Sequence, residues 1–172
     1  MMLEVAVESD EEWDSSPGQA VSWELLARRA AEAAIAESAY PELADSERPV
    51  EISVTLTGDR QVRALNAEWR GKDKPTNVLS FPMADERDLT QANVDGRELL
   101  LGDVILAHGV CETEASDKGV PFEQHATHLL IHGTLHLLGY DHHRDDEAAD
   151  MEAREVRALA RLGIANPYEE AA

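Results

Sequence analysis

The chain has 172 residues, a formal net charge of −20 at pH 7 and a single cysteine, Cys111. That length fits one domain over 1–172 with a core large enough to fold unaided, and a lone cysteine has no disulfide partner within the chain. The acidic N-terminus MMLEVAVESDEEWD lacks the basic-then-apolar pattern of a secretory leader, and no apolar run approaches the ~20 residues of a membrane span, so the expected location is cytoplasmic. The charge speaks against a nucleic-acid grip through a uniformly basic face. Binding depends on local patches, however, and Arg60, Arg63, Arg70, Lys72 and Lys74 crowd one short stretch while acids fill both ends.

In chain order, residues 3–8 (LEVAVE) alternate as a short strand. Residues 9–18, acidic and ending Ser-Ser-Pro-Gly, read as a loop, and the alanine-rich stretch 19–39 as a helix ending before Pro41. VEISVTL (50–56) is β-branched and alternates cleanly, the pattern of a strand. Gly58-Asp59 opens a helix over 59–69 with Val62, Leu65 and Trp69 along one stripe. A loop (71–76, GKDKPT) leads to a strand over 77–81 that Pro82 stops, and the polar stretch 84–98 reads as a loop or hairpin connection. LLLGDVILA (99–107) reads as a buried strand in which Gly102 marks a bulge. A short helix to about Lys118 follows, then one from Pro121, in its first turn, to Leu138, which Gly139 ends as a left-handed cap. A last amphipathic helix (144–161) precedes an acidic C-terminal tail. Four strands and about five helices without strict alternation predict an α+β fold, a small mixed sheet covered by helices.

The chemistry concentrates in His132-Gly-Thr-Leu-His136-Leu-Leu-Gly139-Tyr-Asp-His142. Two histidines four apart on a helix share one face a turn apart, and the glycine turn brings back a third. Three neutral imidazoles make the ligand set of a catalytic zinc or similar divalent metal, with a fourth position left for water, whose pKa such a metal lowers to about 7. The spacing H-x-x-x-H-x-x-G-x-x-H also occurs in metzincin proteases, which carry a glutamate base after the first histidine. Here that position is Gly133, which accepts no proton, so a peptidase is disfavoured. His125 and His128 share the helical stripe with the ligands, as core or surface residues, supporting groups or substrate contacts; His143, next to His142, points elsewhere or takes its place as third ligand, and His108 has no assigned role.

The segment HGTLHLLGYDHH, the block Leu65-Asn-Ala-Glu-Trp-Arg-Gly-Lys-Asp-Lys-Pro-Thr-Asn-Val-Leu-Ser-Phe-Pro82 and Leu101-Gly-Asp-Val-Ile105 together resemble the YbeY family, in family order across residues 65–142. That family comprises zinc-dependent endoribonucleases of bacterial ribosomal RNA maturation. The resemblance implies an α+β fold with the metal in a cleft, zinc held by His132, His136 and His142, and a functionally required arginine at Arg70. It further implies a single-stranded RNA substrate, 16S rRNA 3′-end maturation and ribosome quality control, with the ribosomal particle or its proteins as partners. The acidic ends and the net charge depart from the pattern.

The residues fit phosphodiester cleavage: a metal polarises one non-bridging oxygen and a guanidinium, here Arg70, contacts another. Lys72 and Lys74 are phosphate contacts or simple loop charges. Asp141, beside a ligand, is expected to orient a histidine through its second ring nitrogen, and Asp103 to serve as base or support. Two other readings stand beside this one: a different metal hydrolase, acting on peptides or small phosphoesters, and a noncatalytic ribosome-associated protein whose metal is closed off by a fourth ligand such as His128 or Asp141.

Overall fold

The computed structural model describes residues 3–15, 22–45, 48–90 and 98–169. Strand β1 (Leu3–Ser9) runs parallel to β2 (Val50–Thr57), β2 runs parallel to β4 (Leu99–Ala107), and β4 pairs antiparallel with β3 (Val78–Pro82). The order β1-β2-β4-β3 puts β3 at one edge. In β2 the alternation puts Val50, Ile52, Val54 and Leu56 in the core. The expected bulge in β4 is present: pairing skips Leu101, and Gly102 takes φ +141, where an added Cβ would sit 2.2 Å from the Phe81 carbonyl oxygen. The extra residue shifts the alternation. Leu99, Leu101, Val104 and Leu106 therefore share the main core, while Ile105 and Ala107 face the other way.

The main core lies between the sheet and three helices: α2 (Trp23–Ala36), α6 (Phe122–Leu137) and α7 (Asp145–Arg161). On the opposite face α3 (Asp59–Arg70) sets Val62 against Leu79, Ile105 and Ala107, and α5 (His108–Lys118) packs on both α3 and α6. Helix α6 is buried almost all round, as an apolar central helix must be. At Gly133 it presses on β4 so closely that a Cβ would fall 2.7 Å from Val104 Cγ1. The position that carries a base in metzincins is thus a packing point here.

Among the described residues the five expected helices are the five long ones, and two short α-helices and a 3-10 turn (Pro41–Ala44) join them. Within 9–18, expected as loop, Asp10 caps a single turn, α1 (Glu11–Asp14). Its Trp13 is fully buried and donates from Nε1 to the Thr57 carbonyl at 2.9 Å. Within 84–98, α4 (Glu86–Thr90) is started by reciprocal bonds between Asp85 and Asp88 and buries Leu89. Residues 16–18 and 91–97 of those two stretches, 19–21 at the start of the helix expected over 19–39, and 170–172 of the tail lie outside the described residues. Ser22 caps α2, so that helix begins later than periodicity suggested, and Pro121 stands just ahead of α6 at its cap position.

Candidate metal centre

Helix α6 carries His132 and His136 one turn apart, with ring centroids at 4.6 Å and Nε2 atoms 3.0 Å from each other. Gly139, at φ +94, takes the backbone into the left-handed region and reverses the chain. Tyr140 then donates its N–H to the Leu135 carbonyl and turns its own carbonyl onto His136 Nδ1 at 2.8 Å. His142 follows, its ring 5.7 Å from that of His132 and 5.2 Å from that of His136. One nitrogen from each of the three lies within 4.8 Å of the other two, and among the described residues no fourth His, Cys, Asp or Glu joins the group.

The partners of the outer nitrogens fix what the inner ones can do. A carbonyl only accepts, so His136 must donate from Nδ1–H and keep a bare lone pair on Nε2. His132 Nδ1 faces Oε2 of Glu155, a residue of α7, at 3.2 Å. Burial pushes the Glu155 pKa up, but hydrogen bonds from His128 and His132 outweigh it and hold the carboxyl at about 2, so it is an acceptor as well. Two bare Nε2 lone pairs would then face each other at 3.0 Å, an arrangement that repels unless a cation lies between them. Burial, with the neighbouring His132, lowers the His136 pKa to about 4, so the ring is neutral near pH 7, as a ligand must be. Three neutral imidazole nitrogens suit zinc or another borderline divalent ion.

Glu155 is the residue that motif reading missed. It is fully buried, and its other oxygen accepts from His128 Nε2 at 2.6 Å and from the Tyr168 hydroxyl at 2.8 Å. Burial and the Glu155 charge push the Tyr168 pKa up, which keeps that hydroxyl a donor. A signal existed: Glu155 interrupts the buried stripe Met151, Ala158, Leu159 of α7, where a carboxylate needs a reason to be. His128 therefore belongs to the network behind His132, not to the ligand group.

Two expectations need correction. Asp141 does not reach a ligand ring. Its Oδ1 accepts from the His142 backbone N–H at 2.8 Å and its Oδ2 pairs with His143 Nε2 at 2.9 Å, because a short side chain next in sequence meets the neighbouring backbone first. Asp103 does not line the cleft. The Gly102 bulge turns it to the α3 face, in register with Phe81, whereas an unbroken alternation would have placed it with Leu101 toward α6.

The histidines form one wall of a cleft of about 660 Å³, with Arg70, Lys72 and Lys74 on the opposite wall and the edge strand β3 between them. Arg70 ends α3, and Gly71, at φ +68, turns the chain back. Asn66 steadies the loop through Nδ2, which donates to the Lys74 carbonyl at 2.9 Å. Asp73, the loop's acid, is drawn off by Arg63 at 2.9 Å. Arg70, Lys72 and Lys74 make no ion pair with any described residue, so their charge is left to the cleft. Another cavity, of about 500 Å³ between α2, α6 and the end of α7, shares no lining residue with this one.

The profile of the family described as Endoribonuclease YbeY matches residues 14–163. The chain is 52% identical over 169 residues to the Endoribonuclease YbeY of Rhizorhabdus wittichii, covering 97% of each chain. It is 50% identical over 169 residues to that of Sphingopyxis alaskensis, covering 97% of this chain and 98% of the relative. The solution structure of TM1509 from Thermotoga maritima matches 98% of this chain and 100% of its own at a TM-score of 0.52 and 21% identity, a likeness of fold. With the match running through both walls of the cleft, the chain belongs to the YbeY endoribonuclease family.

Proposed function

We propose that this protein is a zinc-dependent endoribonuclease that cuts single-stranded RNA in the cleft between the histidines and the loop cations. The observation that carries the reading is the pairing of the two walls: three converging imidazoles face Arg70, Lys72 and Lys74, which make no ion pair among the described residues of a chain of net charge −20. His132, His136 and His142 hold the ion, and a bound divalent cation supplies a Lewis acid there. Glu155 and the Tyr140 carbonyl keep the two helical ligands in the tautomer that presents Nε2.

Attack on phosphorus, by water or by the neighbouring 2′-hydroxyl, places negative charge on the non-bridging oxygens. Arg70 meets that charge with a planar fork of donors, bidentate where geometry allows. Lys72 and Lys74 hold flanking phosphates and keep the strand along β3. The reading that makes the metal a closed structural site is less well supported, since both proposed fourth ligands, His128 and Asp141, are engaged elsewhere.

The proposed cellular substrate is the 3′ end of 16S rRNA, with a further part in ribosome quality control. A chain this acidic repels naked RNA at long range, so the proposed working context is cytoplasmic, on the ribosomal particle and its basic proteins. No helix among the described residues is long and apolar enough to cross a membrane. The test is cleavage of an unpaired RNA and its duplex form by purified protein, before and after chelation and after zinc is restored. The reading requires cutting of the unpaired strand that chelation abolishes and zinc returns. Undiminished cutting in chelator, or none with zinc on either naked RNA or ribosomal particles, would refute it.

A further inference from the structure

Helix α3 ends on a residue its packing does not explain. Its stripe Val62, Leu65, Trp69 begins buried, with Val62 against Leu79 and Ile105, passes through half-buried Leu65 and ends at exposed Trp69. The indole is 66% exposed and its one ring contact is a T-shaped approach to Phe81 at 6.4 Å. The other two tryptophans, Trp13 and Trp23, are 0% and 3% exposed and pack on each other at 5.0 Å in the core. A single exposed apolar side chain is ordinary. The position of this one is not: Trp69 precedes Arg70, and Phe81 lies between Ser80 and Pro82, and all three of those neighbours line the cleft. Neither ring lines the cleft itself. Phe81 faces the α3 side with its register partner Asp103, so the indole stands just outside the cleft on that side, one residue from Arg70, braced by Phe81 and otherwise largely exposed to solvent.

From this placement we infer that Trp69 is a stacking platform for an unpaired base of the RNA strand whose phosphates Arg70, Lys72 and Lys74 hold. The inference rests on the ribonuclease reading and adds to it a source of strand selectivity. A cationic track binds any phosphate backbone, duplex or single, whereas an exposed aromatic face adds affinity only for a base free of its own neighbours. Stacking tolerates every base, so the subsite selects for unpairedness without reading sequence. The partner is a nucleobase rather than an apolar protein surface, since the adjoining cleft wall is cationic and Arg70, Lys72 and Lys74 make no ion pair among the described residues.

The two buried tryptophans make the test direct, because Trp69 is the indole a ligand can reach. Wild-type protein is titrated with a 2′-O-methyl oligoribonucleotide of about ten unpaired nucleotides, following tryptophan fluorescence and, separately, the anisotropy of a labelled oligonucleotide. Binding should quench the exposed tryptophan. Trp69→Phe should bind within about threefold of wild type, Trp69→Ala roughly tenfold more weakly with its quench gone, and both should keep the wild-type metal content. The preference of wild type for unpaired over duplex RNA should shrink in Trp69→Ala by the same factor. Inorganic polyphosphate, a polyanion without bases, should bind without quenching. The inference is overturned by oligonucleotide binding that leaves fluorescence unchanged, or by Trp69→Ala binding and discriminating like wild type. It is overturned as well if that variant keeps its RNA affinity and fails only on ribosomal particles, which would make the indole a protein contact. If the oligonucleotide does not bind wild type and RNA is cut neither free nor on ribosomal particles, the ribonuclease reading falls with it; cutting that persists with Trp69 uninvolved removes the stacking site alone.

Discussion

The two walls of the cleft are built to opposite specifications. The helical part of the histidine wall is firmly held, with His142 the exposed member: α6 is almost wholly buried, Glu155 has no exposed surface, and the Nδ1 atoms of both helical ligands are tied by carbonyl or carboxylate. The cation wall is shallow, with Arg70, Lys72 and Lys74 exposed on a loop steadied by Asn66 and by the Arg63–Asp73 pair. The difference follows from what each must hold. A small divalent ion tolerates errors of a few tenths of an ångström in ligand position, which takes packing and supporting hydrogen bonds. A phosphate backbone is large, flexible and hydrated, and long cationic side chains meet it at little cost when left free to adapt.

That contrast can be broken at the rigid wall first. His136→Ala removes one of three ligands and should abolish metal binding, measured by elemental analysis, with RNA cleavage falling to background. Glu155→Gln keeps the shape and removes the charge, so metal should still bind, with affinity down roughly 10–100-fold in chelator competition. Unchanged affinity would mean that Glu155 merely fills space.

The rigid wall also carries a pH signature. In metal-stripped protein, burial keeps His136 neutral down to about 4, whereas the unfolded chain takes up that proton near 6.5; acidification across this window therefore favours unfolding. Glu155 acts in the same direction lower down. Its folded pKa of about 2 lies below its ordinary 4.5, so its stabilisation is complete above 4.5 and is lost as pH falls toward 2. Urea midpoints should drop across both windows, and the drop below 4.5 should flatten in Glu155→Gln. The smallest effects are expected on the adaptable wall, where Lys72→Ala and Lys74→Ala should each raise KM a few-fold and lower the salt slope of RNA binding by about 1, with metal content unchanged.

How much of this the sequence disclosed depended on length and periodicity. Four strands and five long helices were legible because each repeats its pattern several times, while α1 and α4 were not, since one turn held by Asp10 or by Asp85 and Asp88 has no period to detect. The histidine trio was legible because spacing and the Gly139 turn imply its geometry together. Glu155 was hidden among the acids of α7, and its burial shows in the sequence only as a charge on the stripe with Met151 and Leu159. Asp141 was attractive by adjacency, and adjacency led it to backbone and to His143. Asp103 shows how one bulge residue reassigns a face. The place of Arg70 in the site came from family resemblance; the loop in which it makes no ion pair with any described residue became visible only with the fold.

The division of labour between the walls is tested most directly by Arg70→Ala, assayed for metal content and for RNA cleavage on the same preparation. The account predicts about one metal ion per chain, as in wild type, with cleavage reduced on the order of 100-fold or more. Loss of the metal along with activity would show that the arginine supports the histidine site, and metal-loaded variant cutting RNA at the wild-type rate would show that the cation wall has no part in the chemistry.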